Sequence, residues 1–213
     1  MIDSQAIYRE AVIQAFAMTA RPVLLRYYPP RSCIASTRVT IECLKRFRLA
    51  VRPVPVSFFV HIPSRNLLYC SGASAEDRQR LKLNNANVEL PTVSGQGWQG
   101  HVVAHVEERW LVDPSFDQAF FSFEDAGNLP PSLETPQIHV LETGPLGKDF
   151  TLDGEGEMED GSPVQIQYLS LDDQSFLQTP AWELDSLHQL ASDRIARKMV
   201  QFLGRNRARK EAR

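Results

Sequence analysis

The chain has 213 residues, 43% hydrophobic and 23% charged, with a formal net charge of −3. That length suits one sizeable domain with a real core, and the near-neutral balance excludes a global electrostatic pull toward nucleic acid or an anionic membrane surface. Three cysteines, Cys33, Cys43 and Cys70, are too few and odd in number for a disulfide framework.

In chain order, Asp3 or Ser4 caps a first helix with Ile7, Ala11, Val12, Ala15 and Phe16 at helical spacing. It ends before Arg21-Pro22, because the residue before a proline is pushed out of the α region. Tyr27-Tyr28-Pro29-Pro30 reads as an extended approach, and Ser32 offers an N-cap hydroxyl to a helix reaching about Arg48, with Ile34, Thr37, Ile41 and Leu44 on one stripe widened by Val39, Cys43 and Phe47. Val51 to Ile62 reads as a strand whose first half Pro53 and Pro55 confine to an edge or a bulge.

Between Ser71 and Gly100 the periodicity disappears. A stretch of that length reads either as a loop or lid bordering a site, or as a surface excursion with one short helix near Ala75 to Leu83. The alternating run His101 to Val106 and the apolar run Trp110 to Asp113 follow, and Ile138 to Leu141 and Val164 to Leu169 add further strands. The acidic, glycine-rich segment from Asp153 to Gly161 lacks the spacing of a calcium-binding loop and reads as a hairpin tip, so no metal is expected. Thr179-Pro180 predicts the cap and first turn of a final helix carrying Leu184, Leu187, Ala191, Ile195, Met199 and Phe202 up to Gly204.

Residues 1–204 are thus expected to form a single α+β domain, in which a helical N-terminal portion packs on an antiparallel β-sheet and a C-terminal helix closes the core. Residues 205–213, with the cluster Arg205-Asn206-Arg207-Ala208-Arg209-Lys210, read as a basic, frayed tail rather than an RNA-binding arm. Met1 to Gln5 carries no basic stretch followed by an apolar one, and no run of about 18 apolar residues occurs. The expectation is a soluble, cytoplasmic protein with neither membrane nor nucleic acid as partner.

Three residues stand where thiol chemistry would place them. Cys33 begins a helix, whose N-terminus carries about half a positive charge and unpaired N–H groups, which favour a thiolate and a developing oxyanion. His101 and Asp113 lie on consecutive runs. If those runs pair as a hairpin with an odd loop, such as a turn centred on Glu107, both side chains share a face; a two-residue Glu107-Glu108 turn would point Asp113 away. In the odd case Asp113 fixes the imidazole tautomer and His101 takes the thiol proton from Cys33. His105 returns to the same face and is the rival base. Trp98 is placed to shield the pair or stack on a substrate, and Tyr27, Tyr28 and Gln96 are further candidates for substrate or oxyanion contacts. Cys43 and Cys70 read as structural.

Gly100-His101-Val102-Val103 and Trp110-Leu111-Val112-Asp113-Pro114-Ser115, following a helix-initial cysteine, resemble the core of the transglutaminase-like, papain-related cysteine enzymes, and the order Cys33, His101, Asp113 is also similar to that of arylamine N-acetyltransferases. The resemblance covers about residues 22 to 120. Arg31-Ser32 stands where the acetyltransferases have Arg-Gly-Gly, and Ile34 where transglutaminases place an aromatic residue. What the resemblance implies is the mechanism common to the group: a thioester on Cys33, formed from an amide, thioester or ester acyl donor without a cofactor, then attacked by water or an amine. The alternative is a catalytically degenerate relative that binds a peptide or small ligand in the same groove.

Overall fold

The computed structural model describes residues 4–72, 87–89, 98, 100–125, 127 and 138–211. Three helices come first, α1 (Ser4–Thr19), α2 (Arg21–Tyr27) and α3 (Cys33–Arg46). Strands β1 (Val51–Ile62), β2 (Leu67–Ser71), β3 (Asn87–Glu89), β4 (His101–Val106) and β5 (Trp110–Asp113) follow. Helix α4 (Gln118–Asp125) precedes β6 (His139–Glu142), β7 (Thr151–Glu157) and β8 (Pro163–Ser170), and helix α5 (Ser186–Glu211) ends the chain. The class is α+β, with the eight strands in one sheet that is antiparallel except for the β2–β3 pair.

The long strand β1 organises the sheet. Its first half pairs β4 from Val51↔Val106 to Val56↔His101, its second half pairs β2 from Phe58↔Ser71 to Ile62↔Leu67, and β8 takes the other edge from Val56 to His61. Pro53 and Pro55 therefore sit where β1 has a ladder on one edge only, the position a missing N–H tolerates. It also follows that β2 and β4 succeed one another along the same edge, leaving a break at Ser57. Side chains bridge that break: Ser57 Oγ donates to Gly72 O and Ser71 Oγ to Gly100 O, each at 3.0 Å. His101 opens β4 beside it.

Strand alternation divides the core in two. Ala104, Val106, Trp110 and Val112 face the helices, packing with Phe16, Leu24, Val39, Leu44, Ile195 and Met199. Val103 and Leu111 point to the opposite face, into a cluster with Phe58, Tyr69, Phe116, Phe120, Ile166 and Tyr168. His101 and Asp113 share the parity of Val103 and Leu111, so the sheet carries both polar side chains toward that second, apolar cluster, and each is fully buried.

Several expectations are corrected here. Pro22 does not merely end a helix but sits in the first turn of a new one, α2, where its missing N–H has no partner to lose. Of the segment expected as a hairpin tip, Met158 to Gly161 makes the turn between β7 and β8, whereas Asp153 to Glu157 lies in strand β7, although Gly154 and Gly156 interrupt its side-chain pattern. Pro180–Trp182 is an isolated 3-10 turn; α5 begins only at Ser186, because Asp185 Oδ1 accepts the His188 N–H at 2.8 Å and caps it there. Leu184 and Leu187 are consequently exposed, while Ala191, Ile195 and Met199 are buried as the periodicity predicts. The helix also runs past Gly204 to Glu211, so most of the expected frayed tail is helical. The short helix near Ala75 to Leu83 lies outside the described residues.

Candidate active site

Helix α3 brings Cys33 to the sheet through Thr37, one turn further on. Thr37 Oγ1 donates to Val102 O at 2.7 Å, and both residues are buried. The register Ala104↔Val112, carried two steps on, sets Val102 against Pro114, which has no N–H to give; the threonine hydroxyl supplies a donor instead. Thr37→Val keeps the shape and removes that donor. It is expected to cost about 1–3 kcal/mol in denaturant unfolding and to slow alkylation of Cys33, the residue that this contact holds in place.

The β4–β5 hairpin has the odd loop that the orienting role requires. Val106 pairs Trp110, so Glu107, Glu108 and Arg109 form the turn, and its centre lies at Glu108, one residue later than the sequence suggests. Glu107 and Glu108 adopt left-handed φ values of 54° and 49° to make it. Asp113 consequently lies diagonal to His101 rather than opposite it, on the same face. His101 Nε2 meets Asp113 Oδ2 at 2.8 Å. The carboxylate is held from two other sides: Ser115 N–H donates to Oδ1 at 3.0 Å, and the Tyr168 hydroxyl donates to Oδ2 at 3.0 Å. Phe58 stacks on the imidazole at 4.5 Å between centroids.

Cys33 lies close enough to the His101 ring to act on its titration. Cys33, His101 and Asp113 thus stand together. Burial works against charge on His101, but the charge and hydrogen bond of Asp113, with the hydrogen bond and charge of Cys33, outweigh it and hold the imidazole up at about 10.

Gln118, the first residue of α4, is a participant that sequence reasoning missed. Its side-chain amide lies 2.6 Å from His101 Nδ1, the nitrogen Asp113 leaves free. The signal was present in Phe116, Ala119 and Phe120, whose helical spacing after the Asp113-Pro114-Ser115 turn puts Gln118 beside the histidine. Asp117 precedes it, buried and clasped by Arg21 from α2: Nε donates to Oδ2 at 2.7 Å and Nη2 to Oδ1.

A cavity of about 320 Å³ opens over this group, lined by Arg31, Cys33, Tyr69, Ser71, Trp98 and Gln118 among others. Cys33 is half-buried there, whereas Cys43 and Cys70 are sealed in the core. Burial pushes the Cys43 thiol up to about 12. Trp98 is part of the cavity wall, its ring 5.4 Å from that of Phe176. Gly100 must lack a side chain, because a Cβ there would overlap the Trp98 ring.

Other expected participants lie elsewhere. Ser32 occupies the N-cap position of α3 but caps nothing; its hydroxyl turns back to Pro29 O at 2.6 Å. Tyr27 is not at the cavity, since α2 carries it against the helical core, beneath the Arg194 guanidinium at 5.4 Å. Tyr28 also packs there, its ring 5.5 Å from that of His188. His105 shares the face of His101 but is spent on Gly144 O at 3.1 Å, and burial lowers its pKa. Gln96 lies outside the described residues. Among the described residues no three His, Cys, Asp or Glu side chains gather to hold a metal ion, and no helix is long and apolar enough to cross a membrane.

No known family, curated protein or solved structure matches the chain.

Proposed function

We propose that this protein is a transglutaminase-like cysteine enzyme that cleaves or transfers an acyl group from an amide, thioester or ester. The observation that carries this reading is the buried imidazole of His101, held on one nitrogen by Asp113 and within reach of a half-buried Cys33 at the wall of an open cavity. With Nε2 engaged by Asp113, Nδ1 is the nitrogen left to exchange a proton with sulfur, and the Gln118 amide that meets it at 2.6 Å must give way or turn its oxygen toward the ring for the exchange to occur.

Cys33 Sγ, its proton already given up to His101, attacks the acyl carbonyl. The tetrahedral intermediate collapses when the C–N, C–S or C–O bond breaks and the imidazolium returns that proton to the leaving group, giving a Cys33 thioester. Water or an amine, deprotonated by His101, then attacks the thioester and regenerates the thiol. The first-turn N–H groups of α3, which no side chain caps, are suited to receive the oxyanion. Neither Cys33 nor Cys43 is in a disulfide, which supports a reducing, cytoplasmic setting.

Iodoacetamide near neutral pH tests the reading. Mass mapping is expected to find Cys33 alkylated at least tenfold faster than Cys43 or Cys70, with His101→Ala erasing most of that difference. Equal, slow labelling of all three thiols would overturn the enzyme reading and favour a binding module built on the same groove.

A further inference from the structure

The hydrogen bonding continues behind Asp113. Tyr168, fully buried on β8, shares Asp113 Oδ2 with His101. Its hydroxyl hydrogen is committed to that carboxylate, so at the Tyr168 oxygen it is His139 that must donate, through Nδ1 at 3.0 Å. Burial lowers the pKa of His139, against the opposing pull of Asp113, which suits a neutral ring with its hydrogen on Nδ1. That ring has a prepared bed. It stacks on Tyr168 at 5.9 Å and lies 5.1 Å from Phe116, and on β7 Gly154 gives it room, since a Cβ there would stand 3.0 Å from His139 Cε1. His139 thereby bridges from β6 toward β7 and β8, to which β6 has no ladder.

We propose that Tyr168 and His139 are positioning residues, the far end of a continuous relay Cys33–His101–Asp113–Tyr168–His139 that holds Asp113 Oδ2 in line with the imidazole. The inference rests on reading Cys33 as the nucleophile. A carboxylate oxygen that serves two donors divides its charge between them. Tyr168 therefore does more than pin the aspartate: it withdraws part of the charge that would otherwise bind the His101 proton too tightly to be returned to a leaving group. His139 strengthens that effect by donating to the same hydroxyl.

The test is the titration of His101, followed by NMR of ring-labelled histidine in the intact chain. The groups facing His101 are Asp113 on β5, Cys33 on α3, Gln118 on α4 and the uncharged Phe58 on β1; those facing His139 are Tyr168 and Asp113. Tyr168→Phe keeps the ring and deletes the hydroxyl. It is expected to raise the His101 midpoint by about one pH unit, as Asp113 Oδ2 is given over to the imidazole alone. His139→Phe is expected to raise it less, and the double variant to match Tyr168→Phe alone, because His139 acts only through that hydroxyl. Gly154→Ala, which displaces His139 without deleting a polar group, is expected to reproduce the His139→Phe shift.

An unmoved midpoint in Tyr168→Phe would overturn the relay, as would a double variant whose shift is the sum of the two single ones. An unreactive Cys33 would defeat the acyl-transfer reading while the titration still reported on the coupling. A reactive Cys33 with an unmoved midpoint would sink the relay alone.

Discussion

On the proposed acyl-transfer reading, Asp113→Asn is expected to slow reaction at Cys33 on the order of 10³- to 10⁴-fold with the fold intact, the scale seen when an orienting aspartate becomes an asparagine in a catalytic triad. Two effects act together. The first is electrostatic: burial is the largest single influence on His101 and pushes its pKa down, and the imidazole stays protonated only because Asp113 and Cys33 oppose it. Without the carboxylate, desolvation prevails and the ring is neutral near pH 7. The second is tautomeric. The asparagine amide turns an N–H toward Nε2, which drives the imidazole hydrogen onto Nδ1, the nitrogen that has to receive the thiol proton.

The sign of the pH dependence separates this account from simple loss of packing. A histidine raised from 6.5 to about 10 by folding contributes stability that is fully present below pH 6.5 and is lost as pH rises through about 10. Wild-type unfolding free energy is therefore expected to fall across that window, whereas Asp113→Asn has no such decline. Urea unfolding at pH 6.5 and pH 10, together with the Cys33 alkylation rate at pH 7, checks both halves. A variant that kept the wild-type slope, or wild-type reactivity, would show that His101 does not depend on Asp113.

The parts of the site that were legible in the sequence are those governed by short-range periodicity. The α3 stripe places Thr37 one turn below Cys33, and period-two alternation puts His101 and Asp113 on one face once the loop is odd. The turn itself was off by one residue, because the left-handed φ values of Glu107 and Glu108 come from residues that carry no glycine or asparagine signal. Strand β7 was obscured for the opposite reason: Gly154 weakens the local strand pattern in order to leave room for His139, a need that arises only once the sheet has curled. Long-range partners left no trace. Tyr168 reaches Asp113 across 55 positions and Arg21 reaches Asp117 across 96, distances at which no pattern rule operates. Cys33 and His101 were recognisable one by one, but the second tier around them was not, since a tyrosine or arginine at a chain position says nothing about which strand will pass it.

The largest loss of stability is expected from Arg21→Ala, at about 3–5 kcal/mol, because it strands a buried carboxylate. Arg21 is 1% exposed and offers Asp117 a two-pronged fork, with Nη2 also donating to Pro30 O at 3.3 Å. Burial raises Asp117 to about 6 even with the guanidinium present, and Arg21 is what limits that rise. The pair is also a girder of the site: Pro30 O lies on the approach to Cys33, and Asp117 immediately precedes Gln118, so one guanidinium ties the Cys33 side of the cavity to the His101 side.

Removing Arg21 lets desolvation lift Asp117 further, and a carboxyl raised by folding contributes stability that is fully present below pH 3.8 and is lost as pH rises through its folded pKa. The damage is therefore expected to be greatest near pH 8 and to shrink toward pH 5, the reverse of an acid-labile salt bridge. Adding Asp117→Asn to Arg21→Ala is expected to recover part of the loss at pH 8, since a neutral amide is far cheaper to bury than an unpaired carboxylate. Urea unfolding of the two variants at pH 5 and pH 8 decides the matter. A loss that is independent of pH and indifferent to Asp117→Asn would mean that Arg21 acts only through the packing of its alkyl stem. In that case, Cys33 alkylation in the folded variant would keep its wild-type rate.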